Sequence, residues 1–174
     1  MRFIISTEAL LKPLQAVHGV VERRQTLPIL SNILVCAKDG VLSLTGTDME
    51  VELVARTNVE DMEDGEITVP ARKFVDICRA LPAEGEIKFE MDGERVVLKC
   101  GKSRFNLTSI SATDYPSTEQ PTDASRLKMK SSQLKRLIEL TQFAMAQQDV
   151  RYYLNGMLFE IEGEKSSLRG RRQK

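Results

Sequence analysis

Few side chains in this sequence are equipped for covalent or metal chemistry. His18 is the only histidine among 174 residues, so serine or cysteine nucleophiles lack a choice of imidazole bases and a multi-histidine metal cluster is excluded. Its place at the end of an apolar-periodic stretch marks it as a helix-boundary residue. Cys36, Cys78 and Cys100 are odd in number, far apart and never spaced as CxxC, which argues against a disulfide framework and against a zinc site. A reducing cytoplasm suits that pattern. Gly46-Thr47-Asp48 has no glycine-rich loop around it and no GK[ST], so it does not read as a phosphate cradle. The sequence therefore predicts no catalytic residue, no metal and no cofactor.

Side chains suited to non-covalent binding are better represented. Lys12 and Gln15, then Arg72, Lys73 and Arg79, then Lys130, Lys135 and Arg136 fall on three successive helical patterns. Brought to one face, they would make a weak phosphate-tracking surface without sequence preference. An ordinary solvated helix face explains the same spacing equally well. Arg23-Arg24 supplies a cationic loop tip, and Gln147-Gln148-Asp149-Val150-Arg151-Tyr152-Tyr153 gathers amides and two tyrosines where a helix gives way to a strand. Tyrosines can stack on exposed bases; strand alternation would turn one of them toward the core.

Overall charge is balanced at 25 basic and 25 acidic residues. The distribution is uneven. Residues 163–174 hold five basic and one acidic residue, leaving 20 against 24 in the preceding chain, so the body is mildly acidic and the end basic. No apolar run approaches the roughly 20 residues of a membrane span. The opening Met1-Arg2-Phe3-Ile4-Ile5 is interrupted by Glu8 and Lys12 and followed by Pro13 without a cleavage motif, so it reads as a folded first strand rather than a secretory leader.

The elements that must position these residues follow from periodicity. After a strand from Arg2, Ser6 or Thr7 can cap a helix with Glu8 in its first turn and Leu10, Leu11, Leu14, Val17 and Val21 on one face; Pro13 falls near its start. Residues 29–37, 41–46 and 50–57 read as a meander with Asp39-Gly40 as a hairpin turn. Residues 66–69 read as a strand, Pro70 opens a helix to about Leu81 with Phe74, Val75, Ile77 and Cys78 buried, and Pro82 ends it. Residues 86–91, 95–100 and 104–110 form a second meander around Asp92-Gly93.

Strand-helix units thus begin at Phe3-Ile4-Ile5, Ile67-Thr68-Val69 and Leu127-Lys128-Met129. Two such strand-helix-meander units make one α+β domain with antiparallel sheets and helices on one face, and the third starts another. Ser111 to Ser125, with Pro116 and Pro121, reads as the linker.

Several stretches, in order and in register, resemble bacterial β sliding clamps: Thr26-Leu27-Pro28-Ile29-Leu30, Leu42-Ser43-Leu44-Thr45-Gly46-Thr47-Asp48, Val69-Pro70-Ala71-Arg72-Lys73-Phe74, Gly101-Lys102-Ser103-Arg104-Phe105 and Gln148-Asp149-Val150-Arg151-Tyr152-Tyr153-Leu154-Asn155-Gly156-Met157. The resemblance runs from Met1 to about Gly163. It implies the DNA-clamp fold, with an N-terminal clamp domain over 1–120, an incomplete central domain over 121–163 and a divergent, disordered basic tail over 164–174.

The resemblance also implies function: a cytoplasmic, non-catalytic processivity factor whose two-chain ring encircles double-stranded DNA and tethers the replicative polymerase. The implied partners are DNA polymerase III subunits, the clamp loader and a second clamp chain, with no membrane. Arg24, Gln148, Tyr152, Tyr153 and, more weakly, Arg72 match the family's DNA-contacting positions. Arg151 and Leu154 match one wall of its partner-peptide pocket. Lys73, Ile77, Leu81, Arg95, Lys102, Arg104, Phe105 and Leu107 match its subunit interface. A Thr-Asp-Gly-His-Arg-like stretch that completes the pocket has no counterpart after Gly163, so the chain is expected not to close a ring alone; the alternative is an inactive truncated fragment that at most competes for full-length subunits. Limited proteolysis should cut first after Ser111; first cuts within residues 30–100 would contradict the assignment of an independently folded first domain.

Overall fold

The computed structural model describes residues 1–21, 27–116, 128–147, 149–162 and 165–170, with side chains described as far as residue 160. Two compact units divide the chain, Met1–Glu119 and Gln120–Lys174.

In the first unit, β1 (Arg2–Ser6) runs into α1 (Thr7–His18). The Ser6 hydroxyl caps the helix by accepting from the Ala9 amide at 3.3 Å, which satisfies one of the donors that every helix start leaves free. Leu10, Leu14 and Val17 are buried on one face, while Pro13 lies inside the helix rather than in its first turn and Val21 beyond its end. A 3-10 turn, Pro28–Ser31, leads to β2 (Asn32–Lys38), β3 (Val41–Thr47), β4 (Glu52–Asn58) and the short β5 (Met62–Glu63). Asp39 and Gly40 both have positive φ, 50° and 77°, as a two-residue hairpin of this hand requires. The second half repeats the plan with β6 (Gly65–Pro70), α2 (Ala71–Ala80), β7 (Glu86–Asp92), β8 (Arg95–Cys100) and β9 (Ser103–Thr108).

The two halves exchange their leading strands. Sheet order is β5-β1-β7-β8-β9 in one sheet and β4-β3-β2-β6 in the other, all antiparallel. The strand that starts α1 thus belongs to the second meander, and the strand that starts α2 belongs to the first. Phe3 is in register with Phe89, their rings stacked at 4.5 Å, and Phe74 of α2 lies 6.1 Å from Phe89. All three are fully buried, at about 1.5–3 kcal/mol each relative to exposure. Both helices and both sheets contribute to this one core.

Side chains also tie the two sheets together. The Thr68 hydroxyl on β6 donates to the Ile110 carbonyl at 2.7 Å and accepts from the Asn32 amide at 2.9 Å and the Ile110 N–H at 3.2 Å. That is its full hydrogen-bonding capacity. At the other seam the Ile4 N–H donates to Asp61 O at 3.0 Å, beside the β1–β5 pairing. Gly46 lets α1 approach β3, since a Cβ there would lie 2.8 Å from a Val17 methyl and 2.9 Å from the Val17 carbonyl. The expected linker starts as packed structure: Ala112–Asp114 is a 3-10 turn, and buried Tyr115 donates to Thr45 O at 3.1 Å.

The second unit contains α3 (Ser131–Thr141), β10 (Met157–Glu162) and β11 (Lys165–Gly170). Two expectations are corrected here. Lys128-Met129-Lys130 leads into α3 without forming a strand. Residues 165–170, expected in a disordered tail, pair antiparallel with β10 from Glu162↔Lys165 to Met157↔Gly170: the backbone continues the ladder that the apolar β10 opens, and the basic composition does not prevent it. No residue of α3 is buried, against four of α1, and Leu140 and Phe143 stay exposed. Among the described residues of this unit only Leu154 is buried.

Thr68→Val keeps the shape of that buried side chain but strands the Asn32 amide and the Ile110 N–H, so it should cost about 1–3 kcal/mol. The same change at exposed Thr108 should leave the urea midpoint unchanged; equal midpoints for the two variants would remove the seam from the account of stability.

Candidate nucleic-acid and partner interface

Helical spacing buries one face of α1 and of α2 and leaves the other outward. The outward residues are Glu8, Lys12 and Gln15 on α1 and Arg72, Lys73, Asp76 and Arg79 on α2. A groove of about 520 Å³ runs between the end of α1 and the side of α2, lined by His18, Ser31, Arg72, Lys73, Asp76 and Arg79. Arg72 pairs loosely with Asp76, Nε to Oδ2 at 3.8 Å, with both side chains largely exposed, a geometry worth little in water. The face is therefore cationic by a modest margin, suited to non-specific phosphate attraction that salt weakens.

A second set of groups sits on the loop between α3 and β10. Tyr152 and Tyr153 lie in a 3-10 turn, Tyr152–Leu154, rather than in a strand. A turn does not alternate its side chains, and both rings face outward, 83% and 55% exposed and edge-to-face at 6.1 Å, while Leu154 is buried. This corrects the expectation that one tyrosine enters the core. The loop is closed by its own polar groups. Asn155 Oδ1 accepts from the Asp149 N–H at 3.0 Å and Asn155 Nδ2 donates to the Asp149 carbonyl at 3.0 Å. The Asp149 carboxylate receives the Arg151 N–H at 2.9 Å, Nε at 3.0 Å and Nη2 at 2.9 Å. The Ala146 N–H donates to Leu154 O at 3.0 Å. The Arg151 guanidinium holds the Asp149 carboxyl below the usual carboxylate range, and the same bonds raise the Arg151 pKa.

A third surface lies along α2 and the outer strand β9. Lys73, Ile77 and Leu81 follow one another at four-residue spacing; Ile77, Leu81 and Phe105 are half-buried against the core, and Arg95, Lys102 and Arg104 are exposed. Leu107 is only 3% exposed. Its place opposite Val96 in the ladder turns it inward within the single chain, into the core beside Phe105. Beyond β9 the five-stranded sheet has no further strand among the described residues.

Arg24 and Gln148 lie outside the described residues. Arg72 and the tyrosines fall in different units. What the sequence reading missed is Asn155, whose only signal is an Asp and an Asn bracketing a short loop, a pattern these side chains often use to bond local backbone. Among the described residues no group of three or more His, Cys, Asp or Glu could hold a metal, and no helix is long and apolar enough to cross a membrane.

The family model for the DNA polymerase III beta subunit, N-terminal domain, matches residues 1–119, and that for its central domain matches residues 128–170. The chain belongs to the DNA polymerase III beta subunit family. Among relatives, the beta sliding clamp of Pseudomonas putida is 56% identical over 162 residues, covering 92% of this chain and 44% of the relative. That of Escherichia coli K12 is 53% identical over 166 residues, covering 95% and 45%. The crystal structure of the DNA polymerase III subunit beta from Pseudomonas aeruginosa superimposes with a TM-score of 0.90 at 55% identity, over 94% of this chain and 44% of that one. Caulobacter crescentus pol III beta gives 0.87 at 39% identity, over 97% and 46%. The chain spans less than half the length of these relatives. The central-domain match of this beta-subunit chain reaches residue 170, past the Gly163 boundary drawn from the sequence and in keeping with the pairing of β11.

Because the Asp149 carboxyl is depressed by Arg151, its contribution to the order of this beta-subunit loop should be complete above the ordinary aspartate value of about 3.9 and vanish as pH falls through the lower folded value. A carboxyl-carbon titration of Asp149 by NMR should give a midpoint below that of a free aspartate. A midpoint at or above it would remove the ion pair from solution.

Proposed function

We propose that this chain is the N-terminal clamp domain, over 1–120, and part of the central domain, from 121 to the end of the family match at 170, of a processivity factor. Its full-length ring encircles double-stranded DNA and tethers the replicative polymerase in the cytoplasm. The observation that carries this reading is the pair of sheets backing a two-helix layer whose outward face is only slightly cationic, in a chain of the beta-subunit family. A ring that slides must hold phosphates loosely, since every tightly neutralised phosphate would be a barrier to movement. The role is one of binding, without chemistry on the DNA.

On this reading Arg24, Arg72, Gln148, Tyr152 and Tyr153 meet DNA. Arg151 and Leu154 form one wall of a pocket for short peptides of polymerase III subunits and the clamp loader. Lys73, Ile77, Leu81, Phe105 and Leu107, with the cations Arg95, Lys102 and Arg104, meet the partner subunit. Half-buried apolar groups ringed by arginine and lysine have the composition of an interface core with a charged rim. An unpaired β9 edge beside them can extend a sheet across two chains. A second reading, an inert fragment with no function of its own that at most competes for full-length subunits, draws on α3, which buries no residue.

Mixing the labelled chain with intact homodimeric clamp and following subunit exchange separates the two. Exchange is expected through the α2–β9 surface and should be abolished by Lys73→Glu with Arg104→Glu, and the chain alone should not stay on circular DNA. No exchange would favour the inert reading; retention on a circle that is lost on cutting it would show a closed ring and overturn the expectation that the chain cannot form one.

A further inference from the structure

We infer that Asn155, acting through Asp149, is a positioning residue for the two outward tyrosines, so that residues 149–155 form a pre-organised bracket for unstacked bases of a nucleic acid. The inference rests on the proposed DNA-contacting role of Tyr152 and Tyr153 and deepens it.

The geometry is specific. A short loop carrying two exposed aromatic rings would ordinarily sample many conformations, and binding through it would lose affinity to ordering. Here the Asn155 amide occupies both backbone groups of Asp149, N–H and carbonyl, each at 3.0 Å, as one residue of a two-stranded ladder would. The bonded Asp149 then presents its carboxylate to Arg151 in a two-pronged ion pair and also accepts the Arg151 N–H. The Asn155 N–H donates to Tyr152 O and the Leu154 N–H to Arg151 O, at 3.0 and 2.8 Å, which fixes the 3-10 turn. Buried Leu154 anchors that turn from beneath, and the Ala146 N–H bond to Leu154 O closes the base.

Both rings are therefore held outward on a backbone that these bonds tie at Asp149, Arg151, Leu154 and Asn155. Outward aromatic faces with no cation of their own select for the π-faces of bases rather than for phosphates. The Arg151 charge beside them is matched by Asp149, so the bracket adds little phosphate attraction. The ligand chemistry that fits is a single strand, or the single-stranded side of a duplex junction, with bases free to stack.

The test uses the whole chain and a fluorescent oligonucleotide with a duplex–single-strand junction at low salt. Tyr152→Ala is expected to weaken binding. Asn155→Ala, which removes no contacting group, should weaken it about three- to tenfold through lost pre-organisation, should add nothing in the Tyr152→Ala, Tyr153→Ala background, and should leave the salt dependence unchanged because no phosphate-binding cation is lost. Hydrogen exchange of the Asp149 amide should accelerate in Asn155→Ala while amides of β7 and β8 keep their protection. If Tyr152→Ala weakens binding and Asn155→Ala does not, the positioning role is overturned and the DNA-contacting role stands. If Tyr152→Ala has no effect, the DNA-contacting role itself falls and the inference with it. A steeper or shallower salt dependence in Asn155→Ala would also overturn it, by showing that a charged contact had been disturbed.

Discussion

The reciprocal pairing of β1 with β7 and of β6 with β2 is the constraint on which the rest of the first unit depends. Each leading strand is covalently fused to one helix and hydrogen-bonded to the other half's meander. The helices are consequently held at the meeting of two sheets, and neither half can bury Phe3, Phe89 or Phe74 without the other. The Thr68 hydroxyl and the short β5 fasten the seams where exchanged strands would otherwise be free edges. With the core fixed in this way, the side chains on the far faces of α1 and α2 are free of structural duty and can be set by the demands of a ligand.

Those demands show in the balance of charge. Arg72, Lys73 and Arg79 are offset by Asp76, and Lys12 by Glu8 on the neighbouring helix. The loop before β10 follows the same economy, its arginine neutralised by an aspartate two positions before it. Attraction to a polyanion is thereby kept shallow, while aromatic faces and half-buried apolar residues provide contacts that salt does not screen.

Most of the first unit was legible from the residues. Hairpin turns at Asp39-Gly40 and Asp92-Gly93, the Ser6 cap and the Pro82 stop each act through neighbouring backbone, so local sequence carries them. The exchange of β1 and β6 was not legible, because periodicity states which face of a strand is buried and says nothing about its partner. The outward turn of both tyrosines was missed for a related reason: it depends on whether the local backbone is a strand or a 3-10 turn, which distant packing decides. For β11, composition pointed to disorder, whereas the apolar β10 beside it supplied a template that a polar strand can follow. The family resemblance located the candidate residues; only the structure brings the Asn155 amide onto the Asp149 backbone beside them.

The pairing of β1 with β7 also dictates an order of events during synthesis. Arg2–Ser6 is made well before its neighbour Glu86–Asp92, which is added only after α2 is complete. Closing so long a loop is entropically expensive until the rewarding contacts exist, so Phe3 and Ile5 must stay without their final partners through much of translation. A nascent chain built this way carries the apolar β1 unpaired with β7 for that whole interval, so elongation time sets how long Phe3 and Ile5 wait for their core.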